Sequence, residues 1–341
     1  MTAVAAGGDR AFDAAPGPGR LTERALRNPV LRVVVRRLLL AVPLLFVVSA
    51  LSFLLSSLAP ASVVDSMLPD ATFAQRAALS HKLGLDQPVY EQYWHWLVHA
   101  LHGNFGASLT NGQSVAALIG QRFPVTISLV IPTIVIMFIV GVWAGAFSAI
   151  RGGALGRLID TLTLVGFALP GFWVGAVLVA FFADKFHLLP AIGYVSPSVS
   201  ISQWAKSLVL PVCALSLLPI AVVARQTREA MMDVLASEHV RMAWANGIPP
   251  RTIYYRLALK NASIRALTVG GLQTVGLLTG TLFVEQVFTL PGLGSALVMA
   301  TSTSDLLVTQ GIVVFFTLLI VLINLIVDLL YTALDPRVRT S

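Results

Sequence analysis

The chain has 341 residues, of which 56% are apolar and only 11% charged, whereas a soluble domain carries about 25% charge. So few charges cannot cover a water-facing surface, which excludes an ordinary soluble fold and leaves lipid to solvate part of the molecule. The pI is about 10, but the basic residues sit at the ends of apolar stretches and form no patch with interleaved aromatics, which excludes a nucleic-acid surface.

Residues 1–30, rich in Ala, Gly, Pro and Arg without apolar periodicity, read as a disordered cytoplasmic tail, and residues 31–341 as one transmembrane domain. The first apolar run, Leu38–Leu58, follows Arg32, Arg36 and Arg37. Ala59-Pro60-Ala61 resembles a signal-peptidase site, but the run exceeds the roughly 7–15 residues of a signal-peptide core, so it reads as an uncleaved span. Residues 60–122 form an outer segment with helical patterns at Phe73–Leu83 and Val89–Leu101, separated by the turn signals Gly84 and Pro88. Further runs at Val125–Ile150, Thr161–Ala183, Leu208–Ala224, Ala266–Val287 and Leu307–Leu334 approach or exceed the roughly 20 helical residues that cross a bilayer. The expected architecture is therefore all-α and polytopic, with six transmembrane helices. Residues 185–207 are a shorter loop, and Pro291-Gly292-Leu293-Gly294 is a tight turn after the fifth span. Cys213, alone in an apolar run, reads as a small buried hydrophobe.

Six spans divide the chain into alternating segments. Residues 1–37, 151–160, 225–265 and 335–341 hold 18 of the 23 Lys and Arg. The positive-inside rule places these segments, and with them both termini, in the cytoplasm.

Ionisable groups within the membrane mark coupling sites. Here each lies near a span end: Asp160, Asp184, Glu285 and Asp328, the last one turn after Asn324. With no charge or histidine at a midplane, an ion-coupled secondary carrier is disfavoured. An intramembrane protease is disfavoured because no histidine lies in any span. No G-x-x-x-x-G-K-[ST] sequence occurs to cradle ATP phosphates, so any ATP hydrolysis belongs to another subunit.

The loop at 225–265 carries most of the information. Residues 226–246 have a helical pattern, and Gly247 suits the residue after a helix end, which takes positive φ. Pro249 or Pro250 suits the first turn of the next helix. The result is two short helices joined at a sharp bend. The small residues Ala243, Ala245 and Gly247 would let a partner approach closely.

Glu238, Ala243, Ala245 and Gly247, followed by Ala258-Leu259-Lys260-Asn261-Ala262, resemble the EAA loop of ABC-importer permeases. The resemblance runs from about residue 33 to the C-terminus and is closest to the dipeptide/oligopeptide/nickel permeases. Gly84-Leu85-Asp86-Gln87-Pro88, Gly103 to Ser108, Glu285 with Phe288, Pro291 to Gly294, Asn324, Asp328, Tyr331 and Asp335-Pro336-Arg337 also match. Departures from the pattern are His239, Trp244, Asn246, Leu257 and Arg265.

The resemblance implies a type I ABC-importer permease fold in a bacterial cytoplasmic membrane. It implies a peptide substrate, or alternatively a nickel chelate. The partners implied are a second homologous permease, one or two cytoplasmic ABC ATPases that hold ATP and Mg, and an extracytoplasmic solute-binding protein. No cofactor or metal is expected on this chain. Glu238, His239, Arg241, Ala243, Ala245, Gly247 and Arg251 are the expected ATPase-coupling residues. Glu285, Pro291, Gly292 and Gly294 are expected at the outer gate or the binding-protein contact. Substrate would pass along spans three to five. Asn324 and Asp328 are expected to fix helix packing, with Asp328 paired to an arginine. Glu285 either lines the translocation path or caps the outer gate, or is a span-end carboxylate in contact with headgroups and water. His95, His99 and His102 share a helix face, but with Trp94 and Trp96 beside them they read more simply as an interfacial helix than as a metal site.

Overall fold

The structure, a computed structural model, describes residues 29–58, 64, 70, 72–82, 84 and 86–334. The tail expected over residues 1–30 lies outside these residues except for its last two, which already belong to the first helix. Ala59-Pro60-Ala61, Leu85 and Asp335-Pro336-Arg337 also lie outside the described residues. The helices in chain order are α1 (Pro29–Ser57), α2 (Phe73–Lys82), α3 (Val89–Leu101), α4 (Val115–Arg151), α5 (Gly153–Ala168) and α6 (Gly171–Leu178). They continue with α7 (Ile201–Leu235), α8 (Glu238–Ala245), α9 (Lys260–Val287), α10 (Leu293–Ser302) and α11 (Leu306–Leu334). Wider π-helical turns extend α6 over Val179–Lys185 and lead into α9 over Thr252–Leu259.

Among the described residues, five helices are long and apolar enough to cross a membrane, and the bent pair Gly153–Ala168 and Gly171–Lys185 makes a sixth crossing if counted as one span. The expected third span, Thr161–Ala183, is built from two half-helices at 102° to one another. The break is chemical. Pro170 has no N–H to continue the ladder, and it drives Leu169 into extended backbone (φ −89°, ψ 122°).

Packing decides that this pair must carry the chain from one end of the bundle to the other. Val125 of α4 clusters with Leu208 and Leu210 near the start of α7, and Ala146 clusters with Ala230 and Met231 near its end. The two longest helices thus run parallel. Since α4 ends at Arg151 and α7 begins at Ile201, the intervening residues must return along the full length of the bundle. Small residues bring α4 and α7 together: a Cβ on Gly145 would collide with the Ala224 carbonyl, and one on Gly141 with Val223. Lipid tails are as apolar as leucine, so such close backbone approach, and not hydrophobicity, selects this contact.

Helix α9 runs antiparallel to α4, with Ala262 beside Ala146, Gly270 beneath Phe138 and Glu285 bonded to Thr126. Helix α11 runs antiparallel to α1. Arg37 is paired with Asp328 at one end, and the Gln310 side chain donates to the Ser49 carbonyl at 2.8 Å towards the other. One end of the bundle therefore gathers Arg37, Arg151 and Arg228, and the opposite end carries α3, α10 and the starts of α4, α7 and α11.

Several spans are longer than expected. Helix α7 exceeds Leu208–Ala224 at both ends because polar side chains stabilise its extensions: the Ser200 hydroxyl accepts the Gln203 N–H, and Arg225 pairs with Glu229 one turn on at 2.9 Å. Cys213, expected to be buried, is exposed on this helix. In lipid an outward cysteine carries no penalty, so its apolar neighbours did not reveal its direction.

Candidate functional site

The arginine-rich end carries the bend that the glycine and prolines imply. Helix α7 stops at Leu235 instead of continuing to residue 246, because Ser237 leaves helical geometry (φ −75°, ψ 154°) and caps α8. Helix α8 closes on Gly247, which has φ +72°. Ile248 N–H reaches the Ala243 carbonyl at 3.1 Å and Gly247 N–H reaches the Trp244 carbonyl at 3.0 Å, the double closure of a Schellman motif. Thr252 and Ile253 N–H then bond to the Pro249 carbonyl, starting the helix that becomes the fifth span.

One face of this turn is anchored. Val240, Ala243 and Ile253 are buried together against Val234, Leu235, Ile248 and Leu257. Ala243 thus faces inward and is small because α8 lies close to its own chain, which corrects its reading as a partner-facing residue. The other face is open: Glu238, His239, Arg241, Met242, Trp244, Ala245, Gly247 and Arg251 are exposed. Arg241 pairs with Glu238 at 2.9 Å, the Ser237 hydroxyl meets the His239 Nδ1 at 3.0 Å, and Trp244 packs edge-on against Tyr254. A compact, internally braced turn therefore presents exposed Met242 and Trp244 among charges, the composition of a protein-docking surface.

Behind the turn, Arg228 of α7 pairs with Asp160 of α5 at 3.0 Å, and both meet the Ser148 hydroxyl of α4. These three residues line a 230 Å³ cleft with Gly145, Arg225 and Glu229. This cluster links the base of the bent pair to the helix that enters the turn.

At the opposite end Glu285 is fully buried, which corrects its reading as a span-end carboxylate in contact with water. Its carboxylate accepts the Thr126 hydroxyl at 2.8 Å, the Ser295 N–H at 2.9 Å and the Gly294 N–H. Thr126 in turn accepts the Leu293 N–H at 2.9 Å. Pro291 is exposed, while Gly292 and Gly294 are buried beneath the carboxylate. A Cβ on Gly292 would strike the Glu285 carboxyl, and one on Gly294 would lie 2.8 Å from the Leu282 Cα. The glycines are there for close approach, and the unit is a clamp holding the turn and α10 against α4.

A second clamp was not foreseen. Asp305 is buried at the start of α11 and accepts the Ser108 and Thr110 hydroxyls at 2.5 and 3.1 Å, with the Leu109 N–H at 3.3 Å. It ties the loop before α4 to the last span. Ser304-Asp305 directly before an apolar run was the available signal, since that pattern marks a helix start.

Asn324 is half-buried on α11, one turn before Asp328. His95, His99 and His102 lie exposed along α3, with the Nδ1 atoms of His99 and His102 turned to carbonyls of their own helix at 2.7 and 2.8 Å. Among the described residues, no three His, Cys, Asp or Glu side chains gather to hold a metal ion. Between α6, α7 and α9 lies a mainly apolar cavity of 160 Å³, lined by Gly171, Phe172, Leu215, Gly276 and Phe283, with Gln273 as its polar side chain.

Comparison with known proteins gives a consistent result. The family model described as binding-protein-dependent transport system inner membrane component matches residues 138–340, and the model for the N-terminal part of such membrane components matches residues 30–130. The chain is 38% identical over 310 residues to a probable peptide ABC transporter permease, y4tP, of Sinorhizobium fredii, covering 90% of this chain and 98% of that one. It is 33% identical over 333 residues to the di/tripeptide transport system permease DppB of Pseudomonas aeruginosa, covering 91% and 99%. It is 36% identical over 312 residues to the glutathione transport system permease GsiC of Escherichia coli, covering 91% and 99%. Among solved structures, an inward-facing MetNI methionine ABC transporter chain superposes with a TM-score of 0.53 at 16% identity, covering 64% of this chain and 97% of that chain.

Proposed function

The chain belongs to the family of binding-protein-dependent transport system inner membrane components, and from that premise we propose that it is the peptide-translocating permease subunit of an ATP-driven importer. The observation that carries the mechanism is the turn from Ser237 to Arg251, anchored on one face by Val240, Ala243 and Ile253 and open on the other. A cytoplasmic ABC ATPase, holding ATP and Mg, docks on the open face at Glu238, His239, Arg241, Met242, Trp244, Ala245 and Arg251. Because α8 is fused by buried apolar contacts to the end of α7 and to the start of the fifth span, a push on the turn moves both helices as a unit. The Arg228–Asp160 pair then carries the movement to the bent pair.

The start of α1 and the end of α11 lie at the arginine-rich end, and the charge bias of the loops supports placing that end, and with it both termini, in the cytoplasm. A second, homologous permease completes the pathway by facing the α6, α7 and α9 surface, where Gln273 is the polar group in an otherwise apolar lining. A peptide contacts such a wall weakly and moves on, so selectivity rests with an extracytoplasmic solute-binding protein that docks around Pro291 and the segment 60–122. The clamps of Glu285 and Asp305 hold that outer surface in shape.

Affinity purification of the detergent-solubilised chain tests this reading, with wild type beside Gly247→Pro and Trp244→Ala. Gly247 sits at φ +72° and donates its N–H, neither of which proline permits. Wild type is expected to recover a P-loop ATPase, with recovery reduced at least tenfold in Gly247→Pro and several-fold in Trp244→Ala, which leaves the backbone of the turn unchanged. Failure of wild type to retain any ATPase, or equal retention by all three, would overturn the docking role. Peptide transport by the isolated chain on an ion gradient would replace the importer reading with a secondary carrier.

A further inference from the structure

A groove of 670 Å³ runs along the bundle at the arginine-rich end, apart from the pathway cavity and adjoining the docking face, with which it shares Arg251. One wall is the last four turns of α4, with Ile139, Trp143, Phe147 and Arg151 along it. The other is the start of the fifth span, with Arg251, Tyr254 and Tyr255. From Phe138 to Arg151 the wall is about 20 Å long at 1.5 Å per residue, somewhat more than the roughly 15 Å depth of one leaflet's hydrocarbon.

The chemistry is graded along this length. Deep in the groove the lining is aliphatic and aromatic. Trp143 is 69% exposed and stacks on Phe147 at 5.4 Å, and the Arg151 guanidinium lies 5.8 Å from the Phe147 ring centre. Arg151 and Arg251 stand at the mouth, and no carboxylate among the described residues lines the groove. Five of the other arginines at this end of the bundle have acidic partners: Arg37 with Asp328, Arg225 with Glu229, Arg228 with Asp160, Arg241 with Glu238 and Arg265 with Asp233. Among the described residues, neither Arg151 nor Arg251 has an acidic partner.

An apolar groove one leaflet deep, aromatic along its wall and doubly cationic where headgroups lie, matches one class of molecule. We propose that it is a binding site for an anionic glycerophospholipid, the acyl chain lying along Trp143 and the phosphate between Arg151 and Arg251. The occupant follows from charge complementarity: a zwitterionic headgroup brings its own cation to the two arginines, whereas an anionic one neutralises them. A lipid held there would brace the α4 end against the helix that follows the docking turn.

The test uses the full chain in phosphatidylcholine nanodiscs doped with brominated phosphatidylglycerol or brominated phosphatidylcholine. Trp143 quenching is isolated as the difference between wild type and Trp143→Phe. Phosphatidylglycerol is expected to quench Trp143 at lower mole fraction than phosphatidylcholine. Arg151→Gln should reduce this preference about fivefold, the share of one basic residue beside an anionic headgroup. Arg157→Gln, an exposed arginine outside the groove, should leave it intact. Equal quenching by the two lipids, or equal loss in the two arginine variants, would overturn the proposal. So would loss of the preference when partner subunits are added, which would make the groove a protein interface.

Discussion

The two ends of this bundle hold their charges in opposite ways. At the arginine-rich end the docking turn is braced by pairs such as Arg241–Glu238 and Arg265–Asp233, whose side chains are more than half exposed. Exposed pairs of this kind contribute about 0–1 kcal/mol each and exchange readily with water or another protein. At the far end, two buried carboxylates, Glu285 and Asp305, accept hydroxyl and backbone N–H groups from segments distant in sequence. Each donor would be left unsatisfied if its carboxylate were removed, which makes these contacts expensive to break. The lesson is a division of labour: the end proposed to dock an ATPase is built to exchange partners, and the opposite end is built to stay as it is.

Thermal unfolding in detergent is the direct way to break this contrast. Glu285→Ala should have the largest effect, a loss of about 2–4 kcal/mol, since it strands the Thr126 hydroxyl and the Gly294 and Ser295 N–H groups. Gly292→Ala should follow at about 1–3 kcal/mol, because the added methyl meets the Glu285 carboxyl and one of the two must move. Arg241→Ala should change stability by less than about 0.5 kcal/mol while weakening ATPase recovery. If Arg241→Ala proved as damaging as Glu285→Ala, the two ends would not differ in kind. If Glu285→Ala were neutral, the far-end clamp would be a contact without energetic weight.

The docking turn and the clamps were not equally legible. Gly247 followed by two prolines specifies a helix end and a restart through local backbone chemistry, and the turn formed there without reference to the rest of the chain. Helix α3 falls at Val89–Leu101 as its pattern indicates, bounded by Pro88 and Gly103. Glu285 was visible as an acid at a span end, but its partners lie on Thr126 and Ser295 and are set by how α4 and α9 meet. The same holds for Gln310, which reaches the Ser49 carbonyl across 261 positions of sequence.

By itself, the amino-acid sequence determined that the chain crosses a membrane, where most crossings lie, which loops carry the arginines and where the docking turn bends. Those properties follow from local composition, from the length of apolar runs and from the dihedral limits of glycine and proline. Only the tertiary structure decided that the third crossing is bent, that Ala243 faces inward and Cys213 outward, and that Glu285 and Asp305 are internal clamps. In a bilayer the outside of a helix is as apolar as its inside, so hydropathy loses the power to say which face is buried. That choice passes to close contacts such as Gly145 on Ala224 and to single buried hydrogen bonds, neither of which leaves a periodic trace in the sequence.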